Sequence, residues 1–207
     1  VSESRGLGDV YKRQVVPVPD SGVPAALGYS EESKIPFELS IIRNHYVGRT
    51  FILPTQSNRQ SSVKLKHNPD RGSIKGKSVV LVDDSIVRGT TSVKIVELMR
   101  EAGASKIHMR IACPPIKYPD FYGIDTPETE QLLASNRSLE EMCKYIGADT
   151  LGFLSLDGLY QSMGCSEGRN NDTPEYTDHC FTGDYPTNLN DYKSEKIQEQ
   201  LLSLIHI

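Results

Sequence analysis

The fold is decided by one stretch of sequence, VVLVDDSIVRGTT at residues 79–91. It begins with four branched apolar residues, and such a run is typical of a strand that is buried on both faces of a parallel sheet. Asp83 and Asp84 follow at the carboxyl end of that strand, which is the edge where open α/β sheets bind their ligands. The stretch therefore predicts an α/β fold, a mostly parallel sheet flanked by helices, with an acidic pair at its ligand-binding edge.

The residues after the acidic pair predict a loop that leads into an amphipathic helix ending at Gly103. The apolar positions of this helix recur at i, i+3, i+4 and i+7: Ile95, Leu98, Met99 and Ala102. The first amides of a helix have no intrahelical partner and carry the positive end of the helix dipole. Residues 85–91, which contain one glycine and three hydroxyl side chains, are therefore expected to bind a phosphate group. The alternative is an ordinary capping turn in which Asp83 caps the helix, and this leaves Asp84 without a role.

Two stretches carry a resemblance to a known family. Residues 79–91 resemble the phosphoribosyl pyrophosphate (PRPP) motif of the type I phosphoribosyltransferases. The stretch RNHYVGRTFI at residues 43–52 resembles the NRYVGRTFI signature of the glutamine PRPP amidotransferases, with His45 in place of an arginine. Shorter matches extend the resemblance from about residue 15 to about residue 188: residues 17–21, 100–104, 121–125 and 180–186.

The resemblance implies roles for the acidic pair and for a serine upstream of it. Asp83 and Asp84 are expected to accept hydrogen bonds from the ribose hydroxyls and to act on Mg²⁺, directly or through water, because hard oxygen ligands suit that ion. Ser21 matches a position beside the metal and the pyrophosphate, and it is equally well placed to cap a helix.

The resemblance also implies two groups of residues around the phosphates of PRPP. Residues that surround the 5-phosphate, largely through backbone amides, are Ser85, Ile86, Val87, Arg88, Gly89, Thr90 and Thr91. Arg88 is alternatively a solvated surface charge. Residues on a flexible catalytic loop that closes over the pyrophosphate and excludes water are Tyr46, Arg49 and Thr50.

The activity implied by the resemblance is that of an amidophosphoribosyltransferase, a glycosyltransferase of the pentosyltransferase class. It transfers ammonia to C1 of PRPP with loss of pyrophosphate, which gives 5-phosphoribosylamine in the first step of de novo purine biosynthesis. The expected partners are an N-terminal glutaminase domain missing from this chain, which would supply ammonia from glutamine, purine nucleotide inhibitors, and further copies of the chain. One alternative is a non-catalytic PRPP-binding regulator, which would need a basic DNA-binding segment. The other is a purine salvage phosphoribosyltransferase, which CFTGDYP at residues 180–186 disfavours.

The four cysteines predict neither a disulfide framework nor a metal centre. They are widely spaced and contain no C-x-x-C pair, a pattern that argues against a zinc site. Many amidotransferases of the resembled family hold an iron–sulfur cluster, but Asp120 and Thr177 stand here where two of its cysteines are expected. Since such clusters are held mainly by cysteine, we expect no cluster and regard Cys180 as a packing residue.

Composition narrows the class of protein. With 37% hydrophobic and 24% charged residues and a net charge of −4, the chain is typical of globular proteins, and nucleic acid is not an expected partner. It has no apolar stretch long enough to span a membrane and no secretory signal, so a cytoplasmic location is expected. We divide the chain into a phosphoribosyltransferase domain at residues 15–160 and a polar tail at residues 161–200. Residues 1–14 and 201–207 resemble translated vector sequence.

Local patterns predict the remaining elements. Strands are expected at residues 15–18, 35–39, 41–42, 107–111 and 151–156. A helix capped by Asp20 or Ser21 should end at Gly28, and another should start at Thr126 with Pro127 in its first turn. A capping box at Ser138 opens a third helix, which ends at Gly147, and residues 55–73 are expected to form a mobile loop.

Overall fold

A computed structural model describes residues 13–43 and 67–189 of the chain. Its centre is a four-stranded sheet in the order β1–β4–β5–β6, in which all neighbouring strands run parallel. The strands of this sheet are β1 (Arg13–Pro17), β4 (Ser78–Asp83), β5 (Lys106–Ile111) and β6 (Thr150–Phe153). Two further strands, β2 (Ile41–Arg43) and β3 (His67–Pro69), form an antiparallel pair. The predicted α/β class is confirmed, and the strand of the acidic pair lies inside the sheet.

Helices cover both faces of this sheet. They are α1 (Val23–Ser33), α2 (Arg71–Ile74), α3 (Thr90–Glu101), α4 (Leu139–Ile146), α5 (Leu156–Ser162) and α6 (His179–Thr182), with a 3₁₀ turn at Thr129–Gln131. On one face, Leu81 and Met109 pack with Met99 of α3 and Ile146 of α4. On the other face, Val80 and its neighbours pack against α1. The central strand is therefore buried on both sides, as its apolar run predicts.

The two helices with the strongest sequence signals form as predicted. The helix α3 begins directly after the turn that is predicted to bind a phosphate, and Gly103 follows it with φ of +97°. At the start of α4, the amide of Glu141 donates to the Ser138 hydroxyl and the Ser138 amide donates to the Glu141 carboxylate. Gly147, with φ of +81°, ends this helix.

Four predicted elements are wrong in extent or type. The helix α1 starts at Val23 after Gly22, and the Ser21 hydroxyl bonds to Asp84 instead of capping the helix. The same helix runs five residues beyond Gly28, to Ser33. Residues 35–39 make only an isolated bridge to Val15, which donates its amide to the carbonyl of Pro36.

The predicted helix at Thr126 is replaced by a loop and the short 3₁₀ turn. The Thr126 hydroxyl accepts a hydrogen bond from the amide of Asp120, so it organises the preceding loop instead of a helix. The strand predicted at residues 151–156 stops at Phe153, because the Ser155 hydroxyl accepts from the amide of Gly158 and starts α5.

The predicted mobile loop and the predicted polar tail are partly regular. Within the predicted loop at residues 55–73, residues 67–69 pair in a strand and α2 begins at Arg71, while the rest lies outside the described residues. The described part of the tail is fastened to the domain, since the carbonyl of Cys180 accepts from the amides of Lys117 and Tyr118 at 2.9 and 3.1 Å. None of the helices described is both long and apolar enough to cross a lipid bilayer.

Candidate functional site

The acidic pair lies where the sequence predicts it, at the carboxyl end of β4. Asp83 is the last residue of that strand and is only 6% exposed, whereas Asp84 faces solvent. The Asp83 carboxylate accepts a hydrogen bond of 3.0 Å from the Asp84 amide. Its backbone carbonyl accepts from Ala112, which follows the neighbouring strand β5. The two carboxylates are thus held next to each other at the edge of the sheet.

The electrostatics of the pair favour binding of a cation or of hydroxyl donors. Burial, together with the adjacent Asp84, raises the pKa of Asp83 to about 8. A carboxyl group with such a pKa carries a proton at neutral pH until a positive charge or a hydrogen-bond donor compensates the negative charge. A ligand that brings a divalent cation or hydroxyl groups would supply this compensation.

Ser21 reaches the pair because the chain after β1 turns back across the end of β4. Its hydroxyl donates to the Asp84 carboxylate at 3.1 Å. The amide of Val18 donates to the carbonyl of Val82 at 2.8 Å, which brings the two backbones together. At Gly22 a β-carbon would lie 2.5 Å from the Val82 carbonyl oxygen, so only glycine fits this crossing.

Replacing Gly22 with alanine should therefore lower the free energy of unfolding by about 1–3 kcal/mol, the usual cost of forcing extra atoms into a packed site. Its φ of −73° suits alanine, so the steric contact alone should cause the loss. Gly28→Ala is the matched control: it lies inside α1 with open space around it, and it should gain up to about 1 kcal/mol from helix propensity. Urea titrations of both variants measure the difference, and equal midpoints would contradict the close crossing.

The turn at residues 85–91 is held in place by the hydrophobic core and by Leu133. Ile86 is buried in the core, and the carbonyl of Val87 accepts from the amide of Leu133 at 2.8 Å. Gly89 has φ of +76°, and a β-carbon there would lie 2.7 Å from the Leu133 side chain. Gly89 precedes α3, and no side chain of the described residues caps that helix. The amides of its first turn are therefore open to an anion.

The structure brings some of the predicted site residues together and leaves others apart. Ser21, Asp83 and Asp84 meet at one edge, and the turn that follows leads directly into α3. Asp83 does not cap that helix, because Gly89 occupies the capping position. The Arg88 guanidinium donates to Gln131 at 3.0 Å on the surface. Tyr46, Arg49 and Thr50 lie outside the described residues.

Two features of the site were missed by sequence reasoning. Arg43, at the end of β2, forms an ion pair with Asp20 of the loop beside Ser21. Cys113 lies near the acidic pair, and burial with the charges of Asp84 and Asp83 raises the pKa of its thiol to about 12. Cys113 follows the end of β5 by two residues, and neighbouring parallel strands end at the same edge of a sheet. Its position near the acidic pair could therefore have been predicted from the sequence.

Comparisons with known proteins indicate the family of this chain. The sequence profile of a family described as "Phosphoribosyl transferase domain" matches residues 11–119. The chain is 62% identical over 191 residues to an amidophosphoribosyltransferase of Rhizobium etli, covering 92% of this chain and 38% of that protein. It is 52% identical over 175 residues to the amidophosphoribosyltransferase of Bacillus subtilis, covering 84% of this chain and 36% of that protein.

A solved structure has the same fold. It is the glutamine PRPP amidotransferase of B. subtilis in complex with ADP and GMP, which superposes with a TM-score of 0.72 at 48% identity. The match covers 91% of this chain and 42% of that chain. This chain thus spans about two fifths or less of the length of the proteins it resembles here.

Proposed function

The chain belongs to the family of phosphoribosyl transferase domains, and on that premise we propose that it is the PRPP-binding part of an amidophosphoribosyltransferase. In the whole protein it transfers ammonia to C1 of PRPP with loss of pyrophosphate, giving 5-phosphoribosylamine for purine biosynthesis. The observation that carries the proposal is the meeting of Ser21, Asp83 and Asp84 beside an uncapped helix start, in a chain 62% identical to a protein of that name.

The ribose is oriented by the acidic pair. Asp83 and Asp84 accept hydrogen bonds from the 2- and 3-hydroxyls, which fixes the position of C1 relative to the nucleophile. Compensation of the buried carboxyl by these hydroxyls or by a cation is consistent with its raised pKa. The 5-phosphate binds at residues 85–91, where the open amides of α3 and its dipole favour an anion.

Magnesium fits the donor atoms at this edge of the sheet. The Asp84 carboxylate and the Ser21 hydroxyl are hard oxygen donors held 3.1 Å apart, and the Asp83 carboxylate lies next to them. When bound, Mg²⁺ would neutralise the charge that develops on the leaving pyrophosphate.

Displacement at C1 needs little acid–base chemistry from the protein. The nitrogen of free ammonia forms a bond to C1 while the bond from C1 to the pyrophosphate oxygen breaks, and the new ammonium group then loses a proton to solvent. A catalytic loop carrying Tyr46, Arg49 and Thr50 would close over the pyrophosphate and keep water, the competing nucleophile, away from C1.

The whole protein would add further partners to this site. A glutaminase domain outside this chain would release ammonia from glutamine. Purine nucleotides would inhibit the enzyme by occupying the proposed phosphate site at residues 85–91 and a neighbouring site. The B. subtilis relative was solved with ADP and GMP, which supports the second point. We further propose a homo-oligomeric, cytoplasmic enzyme without an iron–sulfur cluster. We also propose a domain at residues 15–160, a tail at residues 161–200 and non-native residues at both ends.

A direct assay tests the activity. The chain is incubated with PRPP and Mg²⁺, and pyrophosphate release is compared with ammonium, with hypoxanthine or guanine, and with neither. Release that depends on ammonium is expected, and Asp84→Asn should slow it at least tenfold, since tenfold corresponds to about 1.4 kcal/mol of lost transition-state stabilisation. Glu97→Gln, on the exposed side of α3, is the control and should leave the rate unchanged. Release only with a purine base, or in no condition, would overturn the proposal.

A further inference from the structure

Two residues of a later segment bond directly to the turn at residues 85–91. The amide of Leu133 donates to the carbonyl of Val87 at 2.8 Å. The side-chain oxygen of Gln131, 43 residues beyond Arg88, accepts from Nε of that arginine at 3.0 Å. The main chain and a side chain of the turn are thus each held by a separate hydrogen bond.

The side chain of Leu133 also packs against the glycine of the turn. A β-carbon at Gly89 would lie 2.7 and 3.6 Å from the two methyl carbons of Leu133, so the leucine fills the space next to this glycine. Leu133 is only 1% exposed and belongs to the hydrophobic core. The turn is therefore packed against a side chain that the core holds in place.

Hydrogen bonds within residues 129–136 make this segment a compact loop. The Ser135 hydroxyl donates to the carbonyl of Thr129 at 2.5 Å, and the side-chain amide of Asn136 donates to the carbonyl of Glu130 at 3.1 Å. A loop fixed by such bonds has little conformational freedom left to lose. The segment is therefore a rigid support for the turn that it contacts.

The bond from Leu133 sets the direction of the next amide in the turn. In a trans peptide the carbonyl oxygen and the amide hydrogen point in opposite directions. Since the carbonyl of Val87 faces Leu133, the amide of Arg88 points away from Leu133. No backbone carbonyl of the described residues accepts from the Arg88 amide. This amide is therefore available to an anion, like the uncapped amides at the start of α3.

We propose that Gln131 and Leu133 are positioning residues for the 5-phosphate of PRPP. They hold residues 87–89 in the conformation in which the amide of Arg88 and those at the start of α3 can bind one phosphate. Neither residue contacts the phosphate itself. A turn that is already ordered loses less conformational entropy when its ligand binds, so the two residues raise the affinity for PRPP. Since PRPP at this turn is part of the proposed function, the role of the two residues rests on that function.

The kinetic signature of this role differs from that of a purely structural one. The 5-phosphate takes no part in the displacement at C1, so its contacts are the same in the ground state and in the transition state. Loss of such contacts raises KM and leaves kcat unchanged. Weaker support of the turn should therefore raise the KM and the Kd for PRPP, with little effect on kcat.

The first test removes the bond between Gln131 and Arg88. Gln131→Met keeps the length of the side chain but lacks the acceptor, and the KM and Kd for PRPP should rise roughly fivefold, as expected for one lost hydrogen bond. Gln131 is exposed, so the variant should fold normally. Glu130→Gln, an exposed neighbour in the same 3₁₀ turn, is the control and should bind like the wild type. Calorimetry measures Kd, and ammonium-dependent pyrophosphate release measures KM and kcat.

The second test compares two adjacent leucines. Leu133→Ala removes the packing against Gly89, whereas Leu132→Ala deletes the same atoms from a side chain that is equally buried but is not among the nearest neighbours of Gly89. Both variants should unfold at lower urea concentration. Only Leu133→Ala should weaken PRPP binding, by about tenfold, because only there does the turn lose its order.

A double-mutant cycle checks that Gln131 acts through Arg88. Arg88→Met should weaken PRPP binding, and the double variant with Gln131→Met should bind no more weakly than Arg88→Met alone. Additive losses would contradict the positioning role of Gln131.

The outcomes separate this role from the proposed function. Normal PRPP affinity in Gln131→Met would overturn the positioning role and leave the proposed function standing. A loss of affinity that Leu132→Ala shares with Leu133→Ala, or a lower kcat with unchanged KM, would also overturn the role. A wild-type chain that neither binds PRPP nor releases pyrophosphate would overturn the proposed function, and the positioning role with it.

Discussion

Asp83→Asn should stabilise the fold at pH 9 by up to about 5 kcal/mol, while it should abolish the proposed binding of PRPP. The pKa of Asp83 is raised to about 8 by burial and by Asp84, whereas in the unfolded chain it returns to its ordinary value near 4. Below pH 4 the Asp83 carboxyl is protonated in both the folded and the unfolded chain, so it does not lower the stability of the fold. Between pH 4 and 8 the folded chain binds more protons than the unfolded chain, so stability falls as the pH rises. Asparagine carries no charge and avoids this loss.

The experiment compares urea unfolding of wild type and Asp83→Asn at pH 4, 7 and 9. The advantage of the variant should be near zero at pH 4 and largest at pH 9, and an advantage that does not change with pH would contradict the raised pKa. Adding PRPP and Mg²⁺ should reverse the order, because in the proposed function the ligand binds at the acidic pair and so stabilises only the wild type. Such an exchange of stability for binding is common at functional sites.

Arg169→Met should lower the free energy of unfolding by about 3–5 kcal/mol, the cost of removing one partner from a buried ion pair. The guanidinium is 7% exposed and donates to Asp178, itself 4% exposed, at 2.6 and 3.3 Å. It also donates to Asp184 at 2.6 Å, and the hydroxyl of Tyr160 donates to Asp178 at 2.8 Å. Methionine fills the same volume but leaves the buried carboxylate without its counter-charge.

The loss should shrink in acid. Burial alone would raise the pKa of Asp178, but its hydrogen bonds from Arg169, Tyr160 and Thr182 outweigh that effect and hold the pKa below the ordinary value. A lowered pKa stabilises the fold above the unfolded pKa, and this contribution disappears as the pH falls through the folded pKa. Thermal unfolding at pH 7 and pH 3 should therefore show a large difference between wild type and Arg169→Met only at pH 7.

Arg100→Met is the matched control for this variant. Arg100 pairs with Asp149 at 2.5 Å, but both side chains are about a third exposed, and exposed pairs contribute at most about 1 kcal/mol. If both variants lowered the free energy of unfolding equally, burial would not be the reason for the contribution of the Arg169 ion pair. The double variant Arg169→Met with Asp178→Asn should recover part of the loss, because the unpaired buried charge is then gone.

Sequence reasoning succeeded where the signal is local. The strand ending at Asp83, the helix after Gly89 and the capping box at Ser138 each depend on residues within one turn or one strand of each other. Local backbone preferences and hydrophobic periodicity are enough to specify such elements. The part of the candidate site formed by residues 83–91 was predictable for the same reason.

Sequence reasoning failed where a residue has a distant partner. For Ser21 the sequence left two roles open, a position beside the metal and a helix cap. Only the folded chain brings Ser21 to Asp84, 63 residues away. Thr126 lies in a sequence that favours helix capping, but its hydroxyl accepts a hydrogen bond from the amide of Asp120 instead. The grouping of Asp120 with His179 likewise depends on how the tail returns to the domain. These contacts are set by tertiary packing, which overrides local preference.

The contact between the turn at residues 85–91 and Leu133 limits how far this protein can be shortened. The family profile ends at residue 119, but the turn is held by the amide and side chain of Leu133, and β5 would become an edge strand without β6. A piece trimmed to the profile would therefore lack the Leu133 contacts that support the turn at residues 85–91. It would also present an unpaired edge strand, which favours aggregation. Any minimal unit for crystallisation or grafting needs to continue at least through Phe153.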